Sequence, residues 1–283
     1  LKIHAGYDIT YECPQPTPML LELSVHPSRM GDVVGPHLIT FDPPIGATEY
    51  RDGFGNICHR IVAPAGRLTI STRFDVLDTG APDVVVPEAR QIPVDQLPDD
   101  TLVFLLASRY CETDRLSDLA WSLFGGVEPG WARVQAICDY AHERITFGYE
   151  HADVFRTAFS GNTDRVGVCR DYAHLAVTLC RCMNIPARYC TGYLGDIGVP
   201  PVDAAMDFSA WFEAYLGGHW YTFDARHNTP RIGRILMARG RDATDVAITT
   251  TFGPCTLAGF NVVTDEVRPG QARMGEAKAG TAP

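Results

Sequence analysis

Polar and apolar residues alternate through the first third of the chain. Tyr7-Asp8-Ile9-Thr10-Tyr11 and Leu21-Glu22-Leu23-Ser24-Val25 change face at every residue, the two-residue period of a strand buried on one side. The runs from His37 to Phe41, Ile57 to Val62 and Arg67 to Phe74 have the same character. Gly35-Pro36, Asp42-Pro43-Pro44, Asp52-Gly53 and Pro64-Ala65-Gly66 separate them as turns. Short strands at this spacing predict a β-sandwich over residues 1–90.

The period then changes. Residues 82–100 carry Pro82, Pro87, Pro93 and Pro98 and read as a linker between domains. Helical spacing follows over 101–107, with Asp99 or Asp100 as the cap, and again over 117–124 and 130–146. In the last of these, Val134, Ile137, Cys138, Ala141 and Ile145 form an apolar stripe. The stretch from Gly167 to Leu175 runs from a loop into a further helix, with Cys169 at the junction. Cys169, Ala173, Ala176, Cys180 and Met183 share one small, apolar face, so this helix is expected to be buried. Asn184-Ile185-Pro186 ends it, and residues 187–193 read as a strand. Residues 208–216, Gly217-Gly218 and residues 219–224 form a strong hairpin signal. The Gly-, Ala- and Lys-rich residues 268–283 read as a disordered tail, which leaves 91–267 as a second, α+β domain.

Composition narrows the function. A net charge of −10 without a basic run argues against a nucleic-acid surface. No apolar run approaches the roughly 20 residues of a membrane span, and no signal-peptide pattern opens the chain, although it starts at Leu1 and a removed leader stays open. The nine cysteines show no C-x-x-C pair. Reduced thiols in a cytoplasmic protein, with no metal or organic cofactor, are therefore expected.

The candidate chemistry begins at Cys169. A thiol at a helix N-terminus meets the positive end of the dipole, which favours the attacking thiolate. Equally, Cys169 can be one more packed thiol. The motif Gly-Val-Cys-x-Asp-x-Ala-His-Leu, followed by Ala-Trp-Phe-Glu-Ala-Tyr-Leu and then Trp-Tyr-Thr-Phe-Asp, resembles the bacterial transglutaminase-like superfamily. The β-rich front half resembles the N-terminal region of bacterial members. The resemblance implies a papain-like α+β core in which Cys169 is the nucleophile and Asp224 the third member of a triad. It also implies a histidine just before Ala-Trp, and here that position is Ser209.

No other histidine replaces it by pattern. With a two-residue turn at Gly217-Gly218, Ser209 and Asp224 become diagonal neighbours, about 7–8 Å apart, while His219 falls on the opposite face. His174 lies about 140° round the helix from Cys169. His227 is on the wrong face by strict alternation but stays a candidate if the strand bulges, and His151 comes from the loop before the nucleophile. Three readings of Ser209 are open: a changed mechanism using a held water or the substrate itself, a pseudoenzyme that keeps the cleft for binding, or an introduced substitution.

Tyr172, Tyr193, Trp211, Arg226 and His227 are candidates for lining a substrate cleft, with Trp211 shielding it from water. Asp171 reads as a helix-end residue, and Arg231, Arg234, Arg239 and Arg241 as a solvated charged face. The resemblance implies a cysteine hydrolase or acyl transferase acting on a peptide or small amide through a Cys169 thioester. The alternative is a binding or assembly module. Oligomeric state is not legible.

Overall fold

A computed structural model describes residues 1–202 and 206–267; the predicted tail lies outside them. The alternating segments become strands β1 (Lys2–Cys13), β2 (Thr17–Leu21), β3 (Val33–Val34), β4 (Thr40–Asp42), β5 (Thr48–Arg51), β6 (Ile57–Ala63) and β7 (Gly66–Leu77). Residues 22–25 leave the ladder although Leu23 and Val25 stay buried. Of the run from His37 to Phe41, only its end is strand.

Helices follow: α1 (Asp99–Leu102), α2 (Thr113–Phe124) and α3 (Trp131–Arg144). Next come β8 (Thr146–Phe147), α4 (Ala158–Asp164), β9 (Val166–Gly167) and α5 (Cys169–Cys182). The chain continues through β10 (Ala187–Tyr193), β11 (Ser209–Leu216), β12 (His219–Phe223), β13 (Ile235–Gly240), β14 (Thr249–Thr251) and β15 (Thr256–Glu266). The antiparallel sheet β12-β11-β10-β13 packs against α5. On its inner face Phe212, Ala214 and Leu216 meet Leu175, Leu179 and Cys180 of α5, and Leu116 of α2 and Ile137 of α3 join the same cluster. The β11–β12 hairpin has the expected register, Leu216 opposite His219. Gly217 and Gly218 sit at φ 57° and 89°, the left-handed pair that a two-residue turn requires.

The protein is α+β, with antiparallel N-terminal sheets followed by a core of helices packed on the β10–β13 sheet. The N-terminal sheets are β15-β1-β7-β3, with β4 also on β7, and β14-β2-β6-β5. Each takes its outer strand from the C-terminal end of the chain. Drawing a boundary at residue 90 therefore separates β14 and β15 from the sheets they complete. One hydrophobic cluster joins Tyr7, Ile9, Met19, Ile61 and Ile70 of these sheets to Tyr193, Ile235 and Met237 of the core sheet. Residues 82–100, expected to be a linker, are tied down instead. The Asp83 carboxylate accepts from Arg231 N and Arg234 Nε, Trp131 N donates to the Ala89 carbonyl, and Gly217 N donates to that of Arg90.

The expectation of uniformly reduced thiols fails at one pair. Glu12 lies opposite Thr256 in the β1–β15 ladder, and the next residues outward, Cys13 and Cys255, form a disulfide across a separation of 242 residues. Spacing along the chain gave no sign of it because the pairing of distant strands creates it. Disulfides persist in oxidising compartments and are rare in reducing ones.

Seven free thiols are expected in the unfolded, unreduced protein and nine after reduction, counted by thiol titration. Replacing Cys13 and Cys255 together with serine should destabilise the fold by about 2–4 kcal/mol, read from urea unfolding. Nine titratable thiols before reduction would refute the pairing.

Candidate active site

The site is built at the entrance to α5. The Val168 amide donates to Asp171 Oδ2 at 2.8 Å, so Asp171 caps the helix it belongs to. Gly167 makes room for that cap, because a Cβ there would lie 2.6 Å from Asp171 Oδ2. Arg156 Nη1 and Arg170 Nη2 stand 3.6 and 3.5 Å from the same buried carboxylate. Asp171 is thus the helix-end residue it was expected to be. The cap holds Cys169 at the first position of α5, where it is half-buried, whereas the other six free cysteines are buried.

β11 supplies the opposite wall. Ser209 opens this strand, paired with Gly192 of β10, and the Ala210 amide is directed at the Cys169 thiol. Cys169 and Ser209 line one cavity of about 210 Å³, together with Asp153, Arg170, Tyr189 and Asp207. Ser209 is only 4% exposed, and its Oγ has no hydrogen-bond partner among the described residues. Among the described residues lining this cavity there is no histidine.

The surroundings of Cys169 work against the expected thiolate. Burial pushes the Cys169 thiol up to about 11, and the Asp207 and Asp224 carboxylates add to the rise. The Arg226 guanidinium and the Ala210 amide act the other way without overcoming it. At pH 7 the thiol form is therefore favoured over the thiolate. The helix terminus alone does not activate the thiol, because the same packing that places Cys169 removes the water that would stabilise its anion.

Asp224 stands just past the end of β12. Its Oδ1 accepts from the amides of Arg226 and His227, both at 3.0 Å. Its Oδ2 accepts from Arg234 Nη2 at 2.8 Å and pairs with His227 Nδ1 at 2.9 Å. Burial on its own would raise the Asp224 pKa. The His227 hydrogen bond and the Arg234 charge override it and hold the carboxyl well below the usual range. Asp224 borders a second cavity, of about 350 Å³, with Asp83, Trp131 and Gln135. Its charge reaches Cys169, but its oxygens are committed to Arg234 and the 226–227 turn.

The remaining candidates divide. Arg226 lies near the thiol, with its guanidinium 3.8 Å from the centre of the Phe147 ring. His227 turns back on Asp224, as a chain leaving strand geometry permits. Tyr172 is not in the cleft: it is packed among the helices and donates its hydroxyl to the Ile145 carbonyl at 2.5 Å. Tyr193 is also elsewhere, fully buried against Phe74 and Phe208 in the N-terminal core. Trp211 is buried with Cys190 and Leu236 and faces the Arg234 guanidinium, so it shields the Asp224 anchor rather than the Cys169 cavity. His174 is fully buried, its Nε2 accepting from the Ala243 amide, and His219 is exposed on the hairpin. His151 sits 3.6 Å from Glu150. Arg231 and Arg234, assigned to a solvated face, are buried in ion pairs with Asp196, Asp83 and Asp224. Asp207 and Arg234 went unrecognised as site residues because their roles depend on contacts between distant segments.

The sequence pattern of the transglutaminase-like superfamily core matches residues 117–225, from within α2 to just past Asp224. The crystal structure of a protein described as a "putative cysteine protease" from Cytophaga hutchinsonii superposes with a TM-score of 0.81. It is 31% identical and covers 96% of this chain and 92% of that one. An uncharacterized protein of Mycobacterium tuberculosis H37Rv is 27% identical over 235 residues, 74% of this chain and 73% of that protein. Another, from Mycobacterium leprae, is 39% identical over 88 residues, a match spanning 29% of this chain and 30% of that protein.

Because the folded pKa of Asp224 is depressed, its contribution to stability is complete above the unfolded value of about 3.9 and fades as pH falls below it. Asp224→Asn is expected to cost about 3–5 kcal/mol at pH 7 by leaving Arg234 without one of its two partners. It should also flatten the fall in stability between about pH 4 and pH 2, read from chemical unfolding at each pH. An unchanged acid profile would show that Asp224 is not the anchored charge.

Proposed function

Since this chain belongs to the transglutaminase-like superfamily, we propose that it is a cysteine-dependent amidase, peptidase or acyl transferase working on a peptide or small amide. Its usual histidine position is occupied by Ser209. One observation carries the reading: Cys169, the partly buried cysteine at the start of α5, and Ser209 line the same cavity. The family's third position, Asp224, keeps a fully engaged carboxylate behind it.

The chemistry runs as acyl transfer. Cys169 Sγ attacks the substrate carbonyl carbon, forming a carbon–sulfur bond and an oxyanion, and its proton passes through water to the nitrogen that will depart. First-turn amides of a helix have no carbonyl of their own to pair with. Those of Cys169 and Arg170 therefore supply donors to that oxyanion. Collapse expels the amine with a proton and leaves the acyl thioester, which water or a second amine then cleaves, regenerating the thiol. Asp224, through His227, Arg234 and the turn at 226–227, holds Arg226 beside the reacting sulfur and so acts as a positioning residue.

The raised thiol supports a second reading, a cleft retained for binding. The Cys169 alkylation rate separates the two when followed by peptide mass spectrometry from about pH 5 to 9. It should climb about tenfold per pH unit without a plateau in the natural chain. In Ser209→His it should level off at lower pH. Peptide or anilide hydrolysis should rise about 10²–10⁴-fold in that variant, the usual worth of an aligned base, and vanish again when Cys169→Ala is added. A folded Ser209→His protein with no hydrolysis would leave the binding reading in its place.

A further inference from the structure

We infer that the cavity beside Cys169 is a binding site for a small neutral nitrogen base, an imidazole or a compact amine, carried by the substrate or an accessory ligand. That base would do the work of the side chain missing at position 209. The inference rests on the acyl-transfer reading and names the class of molecule it requires.

The argument starts from volume and polarity. The cavity measures about 210 Å³. At about 30 Å³ per water molecule it has the space of about seven waters, enough for a five-membered ring. Ser209 is on its wall, and the Ser209 Oγ, buried beside it, has no hydrogen-bond partner among the described residues. An unsatisfied buried polar group costs free energy until a partner arrives, and a hydroxyl both donates and accepts, as the nitrogens of an imidazole do. The thiol that needs a base lines the same space.

The charges around the cavity fit the two forms of such a ligand. A neutral base enters without displacing an ion pair. Arg170, the cation on the wall, is already engaged, with its guanidinium donating to the Asp153 carbonyl and standing 3.5 Å from Asp171 Oδ1. Arg226, the other cation near the thiol, lies over Phe147. Once the base takes the proton from Cys169 Sγ, its conjugate acid faces the Asp207 carboxylate on the cavity wall and the new thiolate, and both stabilise it. Asp224 adds negative charge from behind the thiol. The thiolate then forms its bond to the carbonyl carbon, and the protonated base returns the proton to the departing amine. In deacylation the base takes a proton from the attacking water and delivers it to sulfur, so it leaves as it entered.

Imidazole itself is the probe. Alkylation of Cys169 by iodoacetamide, which forms the sulfur–carbon bond and releases iodide, is followed at pH 7 with increasing imidazole. Since a positioned base typically contributes about 10²–10⁴-fold, at least a tenfold acceleration is expected, and it should saturate. 1-Tritylimidazole, whose three phenyl rings carry it well past the volume of the cavity, should not produce it. Ser209→Leu, which fills the space, and Ser209→His, which supplies its own ring, should both lose the response, with folding of each checked by circular dichroism. An acceleration that is absent, or linear in imidazole and equal with the bulky analogue, overturns the inference. Because the bulky analogue is tested on the natural chain, misfolding of a variant does not obscure the result. Hydrolysis by Ser209→His together with no imidazole response in the chain that carries Ser209 would reject this site alone and leave the acyl-transfer reading standing. A saturable imidazole response with an inactive but folded Ser209→His protein would reject that reading while the site remains.

Discussion

The structure depends on burying a helix on every side. From Asp171 to Cys182, each residue of α5 is buried, yet the helix carries an aspartate, a histidine, a threonine and an arginine. Each of these polar groups needs a partner within the protein, and the partners come from the helix and its entrance for two of them and from distant parts of the chain for the others. Asp171 turns back to the Val168 amide, and Thr178 Oγ1 donates to the His174 carbonyl. His174 Nε2 accepts from Ala243 and its ring stacks with Tyr110. Arg181 donates to the carbonyls of Leu106, Ala187 and Arg241. These bonds set the depth and rotation of α5, and with them the position of Cys169.

The same burial sets the reactivity of the site. A helix N-terminus favours a thiolate by an amount that matters near the surface. Beneath a strand, next to carboxylates, the loss of hydration is larger. A fold of this kind therefore needs a dedicated base more than an exposed cysteine would. The change at position 209 consequently bears on the protonation of the nucleophile more than on the shape of the cleft, whose walls remain.

A second set of charges joins the two halves of the molecule. Arg234 sits between Asp224 and Asp83, with all three side chains largely buried. Asp83 also receives the Arg231 amide. The strap over residues 82–100 is thus fastened to the chain that positions Arg226, and through it to the surroundings of the thiol. Removing any one of the three would strand a buried charge, and breaking such groups is costly. The clustering explains how a proline-rich stretch with little regular structure is held against the core.

Local pattern in the sequence determined the strands β1, β6 and β7, the helices α2, α3 and α5, and the β11–β12 hairpin with its register. These are set by side-chain periodicity and by Gly217-Gly218, which act over a few residues. Cys169, Ser209 and Asp224 were also legible, because their motifs lie at fixed places on those elements. The tertiary structure alone decided the rest. It brought β14 and β15 back to the N-terminal sheets and Cys13 to Cys255, and it buried Arg231 and Arg234 that local composition assigned to solvent. It sent Tyr172 and Tyr193 into separate cores and turned His227 onto Asp224. It also raised the Cys169 thiol where its place in the sequence suggested the reverse. The physical reason is common to all of these: hydration, ion pairing and strand partnership depend on which distant segments meet, and a local period carries no information about them.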